Sequence, residues 1–444
     1  MRVITTLLAL ALVISLVACN GGGAAPSSPA ASTPPSSSAS QPATSPSATP
    51  SAAPSATPSA SPSATPEPTG EPIKIGHIAD MTGVEALTGQ QADMAMKFAV
   101  KQLGGQIAGR PIQIILGDSQ SASPQAAVDI ARKMVEQDHV VAIIGPTQIP
   151  HKAAVADYIK TVGIPLIFYS PTPLMMIQDN DWVFGVIGTN VGLPSIMGDY
   201  IYKDLGYRRV HTIARDDASG RSFIGPFADS FTALGGEIVS QQWAPQPTLD
   251  YSTYFTAMSD DVDAIVAWVS GADAIAMWTA WYEMGVSAKI PLIAAFHGSF
   301  TDYPIAEALR DTKPEVAQAM IGAIAPMPYV YSIDTPENND FVAAWTAEYG
   351  SPPRHSVNGD ATQALYLLAA AIKSLNGDTT PDKLAQAILN LDFTGPEGRQ
   401  YFKDGMHVAT KDYYIGKIVQ LDNGDFAYDL VKTYQAVPPT GWVG

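Results

Sequence analysis

The sequence VVAIIGPTQIPHKAAVADYIKTVGIPLIFYSPTPL, residues 140–174, contains a complete strand, turn, helix, strand and turn. It opens with the apolar run VVAII, and Gly145-Pro146 follows that run directly. Such a run is typical of a strand that is buried on both faces of a parallel sheet. The sequence therefore predicts an α/β fold built on parallel strands.

A helix is predicted between this strand and the next one. Apolar residues recur over positions 153–159, and Gly163 with Pro165 marks the helix end before a second buried run begins. Two parallel strands that are joined by one helix leave their turns at the same carboxyl edge of the sheet. These turns are residues 145–150 and 170–173.

Both turns carry polar side chains that are candidates for ligand binding, namely Thr147, Gln148, Ser170 and Thr172. Ligands of open α/β sheets bind at the carboxyl edge, where helix N-termini offer unpaired N–H groups to an anion. The alternative interpretation is that these hydroxyl and amide groups only cap the helices that follow them.

The N-terminus carries an export signal. One Arg precedes an apolar run that ends at Ala18, and we predict that residues 1–18 are a signal peptide. The segment Leu16-Val17-Ala18-Cys19 resembles the lipobox of bacterial lipoproteins, which implies that Cys19 is lipidated. Cys19 is the only cysteine of the chain, so a disulfide framework and a thiol nucleophile are excluded from the folded part. The alternative is an ordinary signal peptide with an incidental cysteine.

A low-complexity segment separates this signal from the rest of the chain. Residues 20–70 consist almost entirely of Ala, Ser, Pro, Thr and Gly, with no charged residue before Glu67. Such a composition cannot bury a hydrophobic core. We therefore predict that residues 19–70 form a lipidated cysteine followed by a disordered tether.

The remainder, residues 71–444, is long enough for two domains of typical size. The formal net charge of −17 opposes nonspecific binding to nucleic acid or to anionic lipid. No second apolar run reaches the length of a membrane span. We expect no nucleic-acid partner, and contact with the membrane through the lipid anchor only.

Strands and helices alternate twice along this remainder, which predicts two doubly wound parallel-sheet lobes. Long helices after the second series indicate that the chain returns to the first lobe. We predict an N-terminal lobe from residues 71–189 and 327–394, and a C-terminal lobe from residues 190–326 and 395–444. Lobes that are joined by several crossing segments form a hinge, and the expected ligand site is the cleft between them.

The sequence does not favour an enzyme. It contains no G-x-S-x-G elbow, no phosphate-binding P-loop and no H-E-x-x-H helix, and its seven His residues are scattered. Asp80, Asp118, Asp216 and Asp217 follow predicted strands, where an aspartate usually caps the next helix. We therefore expect no catalytic residue, no metal site and no cofactor.

Several segments together resemble one known family, over residues 73 to about 419. They include IKIGHIADMTGVEALTG, GIPLIFYSPTPL, VDAIVAWVSGADAIAMWTAWYEMGV and GPEGRQYFKDG, in this order. The chain resembles the branched-chain amino-acid type of solute-binding protein of ABC transporters, which has the type I periplasmic-binding-protein fold. A lipobox and a tether are in keeping with this resemblance.

The resemblance also implies site residues, position by position. Family members that bind α-amino acids usually have a Ser-Gly pair where this chain has Ile149-Pro150. The pair that holds the ligand carboxylate falls near residues 170–172. Ser219 stands where an aromatic residue commonly precedes a glycine. His297 aligns near the acidic residue that pairs with the ligand ammonium.

Histidine is never anionic, so this alignment leaves the ligand class open. A carboxylate without an ammonium, an aromatic acid, an amide or a urea-like solute suits Ser270 and His297, together with the turn residues, at least as well as an amino acid. Thr88 matches a position that often presents a polar or aromatic side chain to the ligand. Trp268 ends a predicted strand and could stack on a flat ligand, as could Tyr169, Phe296 and Tyr329; the alternative for each is a place in the core.

The predicted function is a receptor that faces the extracellular or periplasmic side of the membrane. It would capture a small polar solute, such as an amino acid or a related carboxylate or amide, and deliver it to the permease of an ABC transporter. We expect a monomer. The alternative is an extracellular sensor of the same fold that signals through a partner protein.

Overall fold

The computed structural model describes residues 68–83, 85–298 and 300–442. The predicted signal peptide, the predicted lipidation site Cys19 and most of the predicted tether lie outside these residues.

The first sheet has six strands in the order β2-β3-β1-β4-β5-β6. All its pairings are parallel except that of β2 with β3. The strands are β1 (Ile73–Ala79), β2 (Gln106–Ile107), β3 (Arg110–Asp118), β4 (Ala142–Ile144), β5 (Leu166–Phe168) and β6 (Val183–Gly185). The connecting helices are α1 (Ala86–Gln102), α2 (Pro124–Lys133) and α3 (Ile149–Val162). The strand–helix–strand unit predicted within residues 140–174 is therefore β4, α3 and β5.

The second sheet has four parallel strands in the order β10-β9-β7-β8. The strands are β7 (Arg209–Arg215), β8 (Glu237–Ala244), β9 (Ala264–Trp268) and β10 (Leu292–Ala294). Six helices surround it: α4 (Gly192–Lys203), α5 (Ala218–Ala233), α6 (Ser252–Thr256), α7 (Ala272–Glu283), α8 (Tyr303–Thr312) and α9 (Pro314–Ala319). The prediction of two doubly wound parallel α/β sheets is confirmed.

A third sheet is antiparallel. It contains β11 (Ile324–Met327), β12 (Asp392–Gly395), β13 (Gly398–Phe402), β14 (Ala409–Gln420) and β15 (Phe426–Val437). β14 and β15 are each 12 residues long and pair as a hairpin, closed by a bond from the Leu421 N–H to the Asp425 carbonyl (2.8 Å). The pairing continues past two shifts of register, one between Lys411 and Tyr413 and one between Ile415 and Gly416.

Three long helices precede most of this sheet: α10 (Pro336–Tyr349), α11 (Ser356–Ser374) and α12 (Pro381–Leu389). They return the chain to the first sheet, since the Phe98 ring of α1 lies 5.1 Å from Trp345 of α10 between ring centroids. Helix α11 packs along α1 and has most of its residues buried. The boundaries of the predicted lobes stay a prediction.

None of the helices in the described part of the chain combines the length and the hydrophobicity that a bilayer crossing requires.

Candidate ligand-binding site

A cavity of about 160 Å³ lies where the carboxyl ends of the first two sheets meet the start of α11. An engineered protein cavity of ~150 Å³ accommodates benzene, so this space is the size of one small metabolite. Its lining comes from both sheets and from α11: Glu85, Thr88, Thr147, Ile149, Ser170, Pro171, Asn190, Phe223, Trp268, Phe296, His297, Gly298, Asp302, His355, Ser356, Val357 and Asp360.

Three helices begin at this cavity. The residue before α1 is Glu85, the residue before α3 is Gln148, and the residue before α11 is His355. His355 caps its helix, because its Nδ1 accepts the Val357 N–H at 3.2 Å and its own N–H donates to Asn358 Oδ1 at 3.2 Å. Helix N-termini carry partial positive charge, so the cavity has a field that favours the negative end of a ligand.

The first sheet contributes hydroxyl groups to the cavity. Thr147 Oγ1 and the Tyr169 hydroxyl share a hydrogen bond of 2.8 Å, and Ser170 Oγ donates to the Thr147 carbonyl at 3.4 Å. Thr88 Oγ1 lies 3.5 Å from Glu85 Oε2. Of the residues predicted on this side, Thr88, Thr147, Ile149 and Ser170 all line the cavity.

Four other predicted residues do not line it. Gln148 Nε2 donates to Asp80 Oδ1 at 3.2 Å, and buried Thr172 bonds to the Ser170 carbonyl at 3.0 Å. Ser270 Oγ accepts a bond from Arg215 at 2.8 Å. Ser219 lies in the first turn of α5, where its carbonyl accepts from the Ser222 hydroxyl. The Gln148, Thr172 and Ser270 side chains are thus hydrogen-bonded within the protein, and Gln148 does not cap α3.

A buried lysine that the sequence analysis missed fixes the second turn. The Lys152 ammonium donates to the Ser170 carbonyl (3.1 Å), the Pro171 carbonyl (2.9 Å) and Thr172 Oγ1 (3.1 Å). These are as many acceptors as an ammonium has hydrogens. Lys152 lies on the apolar face of α3, one turn before Ala156, and a charged residue on an apolar helix face is the sequence signal that could have identified it.

The second sheet contributes an aromatic wall made of Phe223, Trp268 and Phe296. The Phe223 and Phe296 rings stack with centroids 3.9 Å apart, and the Trp268 ring meets Phe223 edge-on at 4.6 Å. Trp268 Nε1 donates to the His297 carbonyl at 3.2 Å, which orients the indole. Phe223 was missed by the sequence analysis, because it lies on α5 and not at a strand end.

Comparison with known proteins places this site in a family. The family described as "Periplasmic binding protein" matches residues 72–425. The chain belongs to that family. Its members are solute-binding proteins, so the expectation that this chain is not an enzyme is confirmed.

Known relatives of this periplasmic binding protein have similar sequences or structures. Leu/Ile/Val-binding protein homolog 6 of Brucella melitensis is 20% identical over 367 residues, which is 82% of this chain and 92% of the relative. A solved ABC transporter substrate-binding protein from Sphaerobacter thermophilus is 28% identical with a TM-score of 0.76, over 83% of this chain and 99% of that chain. A solute-binding protein of an ABC transporter from Rhodopseudomonas palustris, solved with 3,4-dihydroxybenzoic acid, is 25% identical with a TM-score of 0.72, over 83% and 98% of the two chains.

Two histidines of the binding protein, His297 and His355, line the cavity. His297, which was predicted, has Nδ1 at 3.5 Å from Ser356 Oγ, and its enclosed Nε2 has no partner among the described residues. Burial, with smaller effects from His355 and Lys411, lowers the pKa of His297 to about 3. Its imidazole is therefore neutral at pH 7 and is available to hydrogen-bond a ligand.

Three carboxyl groups of the binding protein also line the cavity: Glu85, Asp302 and Asp360. Burial raises the pKa of all three, and Asp80 adds to the effect at Glu85. Asp302 faces His355, with 3.6 Å between Oδ2 and Nε2. No lysine or arginine lines the cavity, and the described residues contain no group of His, Cys, Asp and Glu suited to a metal ion.

The sequence analysis missed these carboxyl groups. Their positions are far apart along the chain and belong to no common motif, so only the fold brings them together. The family resemblance aligned His297 with an acidic position. The carboxyl group that this segment places in the cavity belongs instead to Asp302, five positions later.

Proposed function

We propose that this periplasmic binding protein captures one small carboxylate with an apolar, ring-sized body, and delivers it to the permease of an ABC transporter. The observation that carries the proposal is the aromatic wall of Phe223, Trp268 and Phe296, which shares one small cavity with the Thr147 and Ser170 hydroxyls. One end of the cavity thus suits a flat apolar group, and the other suits an anionic head group.

The ligand carboxylate would lie at the two turns of the first sheet. The N-terminus of α3 has no side-chain cap from Gln148, and Pro150 has no N–H, so the N–H groups left for an acceptor there are those of Ile149 and His151. The apolar body would then pack on the aromatic wall, with neutral His297 beside it. The Rhodopseudomonas palustris relative, solved with 3,4-dihydroxybenzoic acid, supports this class of ligand.

An apolar α-amino acid is the second candidate. The Glu85 and Asp302 carboxyls line the same cavity and could accept hydrogen bonds from a ligand ammonium. The Leu/Ile/Val-binding protein homologue of Brucella melitensis supports this candidate. Both candidates share the carboxylate and the apolar body, and they differ only in the ammonium.

Matched ligand pairs test the proposal. Calorimetric titration of residues 71–444 would compare phenylalanine with 3-phenylpropionate, and leucine with 4-methylpentanoate, alongside benzoate and 4-hydroxybenzoate. We expect the ammonium-free member of each pair to bind at least tenfold more tightly. Tighter binding of both amino acids would establish the second candidate, and no binding of any of these compounds would overturn the proposal.

Delivery to a permease requires that the ligand favours a closed form of the two lobes. Small-angle X-ray scattering should show compaction of the protein when ligand is added. Loss of cellular uptake of the ligand on deletion of the gene would separate a transport receptor from the alternative, a sensor that signals through a partner protein. A sensor would lose a response to the ligand and keep uptake.

We further propose that a lipid on Cys19 anchors the protein outside the cytoplasm, with residues 20–70 as the tether. Replacement of Cys19 by Ser should move the protein from the membrane fraction to the soluble fraction without changing the affinity of residues 71–444 for ligand. An unchanged distribution would favour an ordinary signal peptide. We propose a monomer, which light scattering after size exclusion would test.

A further inference from the structure

A buried cluster of Asp360, Glu397 and Lys411 lies behind the ligand cavity. Asp360, on the second turn of α11, lines the cavity and is only 2% exposed. Glu397 lies in the turn between β12 and β13 and Lys411 on β14, and both are fully buried. The Lys411 ammonium donates to Glu397 Oε2 and to the Pro328 carbonyl, the latter at 3.2 Å.

Two oxygen atoms of this cluster have no donor. Asp360 Oδ1 and Glu397 Oε1 are both enclosed and accept no hydrogen bond from any described residue. The two carboxyl groups nevertheless lie within hydrogen-bonding distance of each other. Ionised carboxylates only accept hydrogen bonds, so two of them can bond only when one carries a proton. A proton on one of the two carboxyl groups would supply such a bond.

The surroundings decide which carboxyl carries that proton. Glu397 already has a cation in direct contact, the Lys411 ammonium. Asp360 has no such cation in direct contact among the described residues, and both Glu397 and Asp302 oppose a charge on it. Several titratable groups interact electrostatically with Asp360 from the elements around α11. They are Lys152 of α3, Tyr169 after β5, Asp302 before α8, Tyr329 after β11, Glu397, and Lys411 and Tyr413 of β14. Glu85, His297 and His355 share the cavity with it.

We propose that Asp360 is held protonated at neutral pH and donates its hydrogen to Glu397 Oε1, so that the cavity accepts a ligand carboxylate without an opposing charge on α11. Glu397 and Lys411 then form a neutral ion pair, and the whole cluster carries no net charge. Asp360 is in this way a specificity-determining residue. When Asp360 is protonated, the cavity tolerates an anionic ligand; if Asp360 were ionised, the cavity would favour a cation. The consequence for ligand choice rests on the proposed function, whereas the protonation state does not.

Asp360→Asn tests the proposal directly, because an amide has the shape of the neutral acid and its Nδ2–H can replace the shared proton. We expect this variant to fold and, at pH 7, to unfold at the same or a higher temperature than the wild type. A lower unfolding temperature, or a tenfold or greater loss of affinity for 3-phenylpropionate, would overturn the proposal, since either result would mean that the ionised carboxylate is required.

Infrared spectroscopy of the ligand-free protein gives an independent measurement. The wild type should show the C=O band of a protonated carboxyl at pH 7, and this band should be absent from Asp360→Asn. Absence of the band from the wild type would overturn the proposal. If no carboxylate binds to the wild type, the proposed function fails, and the infrared band still decides the state of Asp360.

Discussion

Phe223 and Phe296 stack nearly parallel, with 14° between their ring planes and 3.9 Å between centroids, although one lies on α5 and the other follows β10. The pair forms most of the aromatic wall and is almost completely buried. Because the stack fixes both rings before any ligand arrives, little side-chain entropy is left to lose on binding.

Replacement of Phe223 by Ala should weaken ligand binding by about ten- to a hundredfold, since it removes ligand contact area and leaves Phe296 without its stacking partner. Titration calorimetry would measure the change. Phe231→Ala is the matched control, because Phe231 lies on the same helix, is buried and stacks on Phe227 away from the cavity. It should lower stability and leave the affinity unchanged. Equal affinities for the two variants would contradict the assignment of the wall.

Lys152→Met should destabilise the protein and weaken ligand binding together. The change leaves the partly buried Ser170 carbonyl and the buried Pro171 carbonyl without their donor, at a cost of roughly 2–4 kcal/mol in the free energy of unfolding. The turn that carries Ser170 would also lose its fixed position. Lys160→Met is the control, since Lys160 lies exposed on the same helix. Urea denaturation and calorimetry would measure both effects, and an unchanged affinity in Lys152→Met would show that Lys152 only supports the fold.

Acid should destabilise the protein in part through His297. The folded-state pKa of about 3 lies below the ordinary value of 6.5, so below pH 6.5 the unfolded chain binds a proton that the folded protein does not. Stability is therefore lost as the pH falls from 6.5, by up to about 1.4 kcal/mol per pH unit for this group. Denaturation midpoints at pH 7 and pH 5 should differ less in His297→Gln than in the wild type. The control is His139→Asn, because His139 is exposed. This variant should show the same difference between the pH 7 and pH 5 midpoints as the wild type.

Lys411→Met alone should cost about 3–5 kcal/mol of stability, because it removes the cation that is paired with the buried Glu397 carboxyl. The double variant Lys411→Met with Glu397→Gln should recover most of that loss, since no uncompensated charge remains. Urea denaturation of the two variants would measure this coupling. A single variant as stable as the wild type would mean that the Lys411–Glu397 ion pair contributes no net stability.

Gly188→Ala should destabilise the protein by roughly 2–4 kcal/mol. Gly188 has φ +88°, and a Cβ there would lie 1.6 Å from the Tyr413 hydroxyl, which donates to the Ile187 carbonyl. Gly206→Ala is the control, because Gly206 also has a positive φ (+73°) and an added Cβ would meet nothing within 4 Å. It should cost only about 1 kcal/mol. Thermal unfolding of both variants would separate the steric clash from the backbone strain.

The parallel part of the fold could be predicted from the sequence because its signals are local. A strand buried on both faces is apolar throughout, as residues 142–144 and 166–168 are. A helix that joins two such parallel strands forms a right-handed crossover, which fixes the side of the sheet on which it packs. The antiparallel hairpin of β14 and β15 gives a weaker local signal, since its register shifts twice and interrupts a simple alternating period.

The sequence by itself determined that two α/β sheets would present their turns to one cleft, and it placed Thr147, Ser170, Trp268 and His297 in the lining, because residues that directly follow a buried parallel strand must lie at its carboxyl edge. Only the tertiary structure decided which side chains of the turns face the cavity, and which residues distant in sequence also line it. Gln148 bonds to Asp80 and turns away, while Phe223 and Asp360 come from helices that no strand-end rule selects. The physical reason is that strand position follows from local hydrophobicity, whereas the direction of a side chain and the charge of a buried carboxyl depend on neighbours that are remote in sequence.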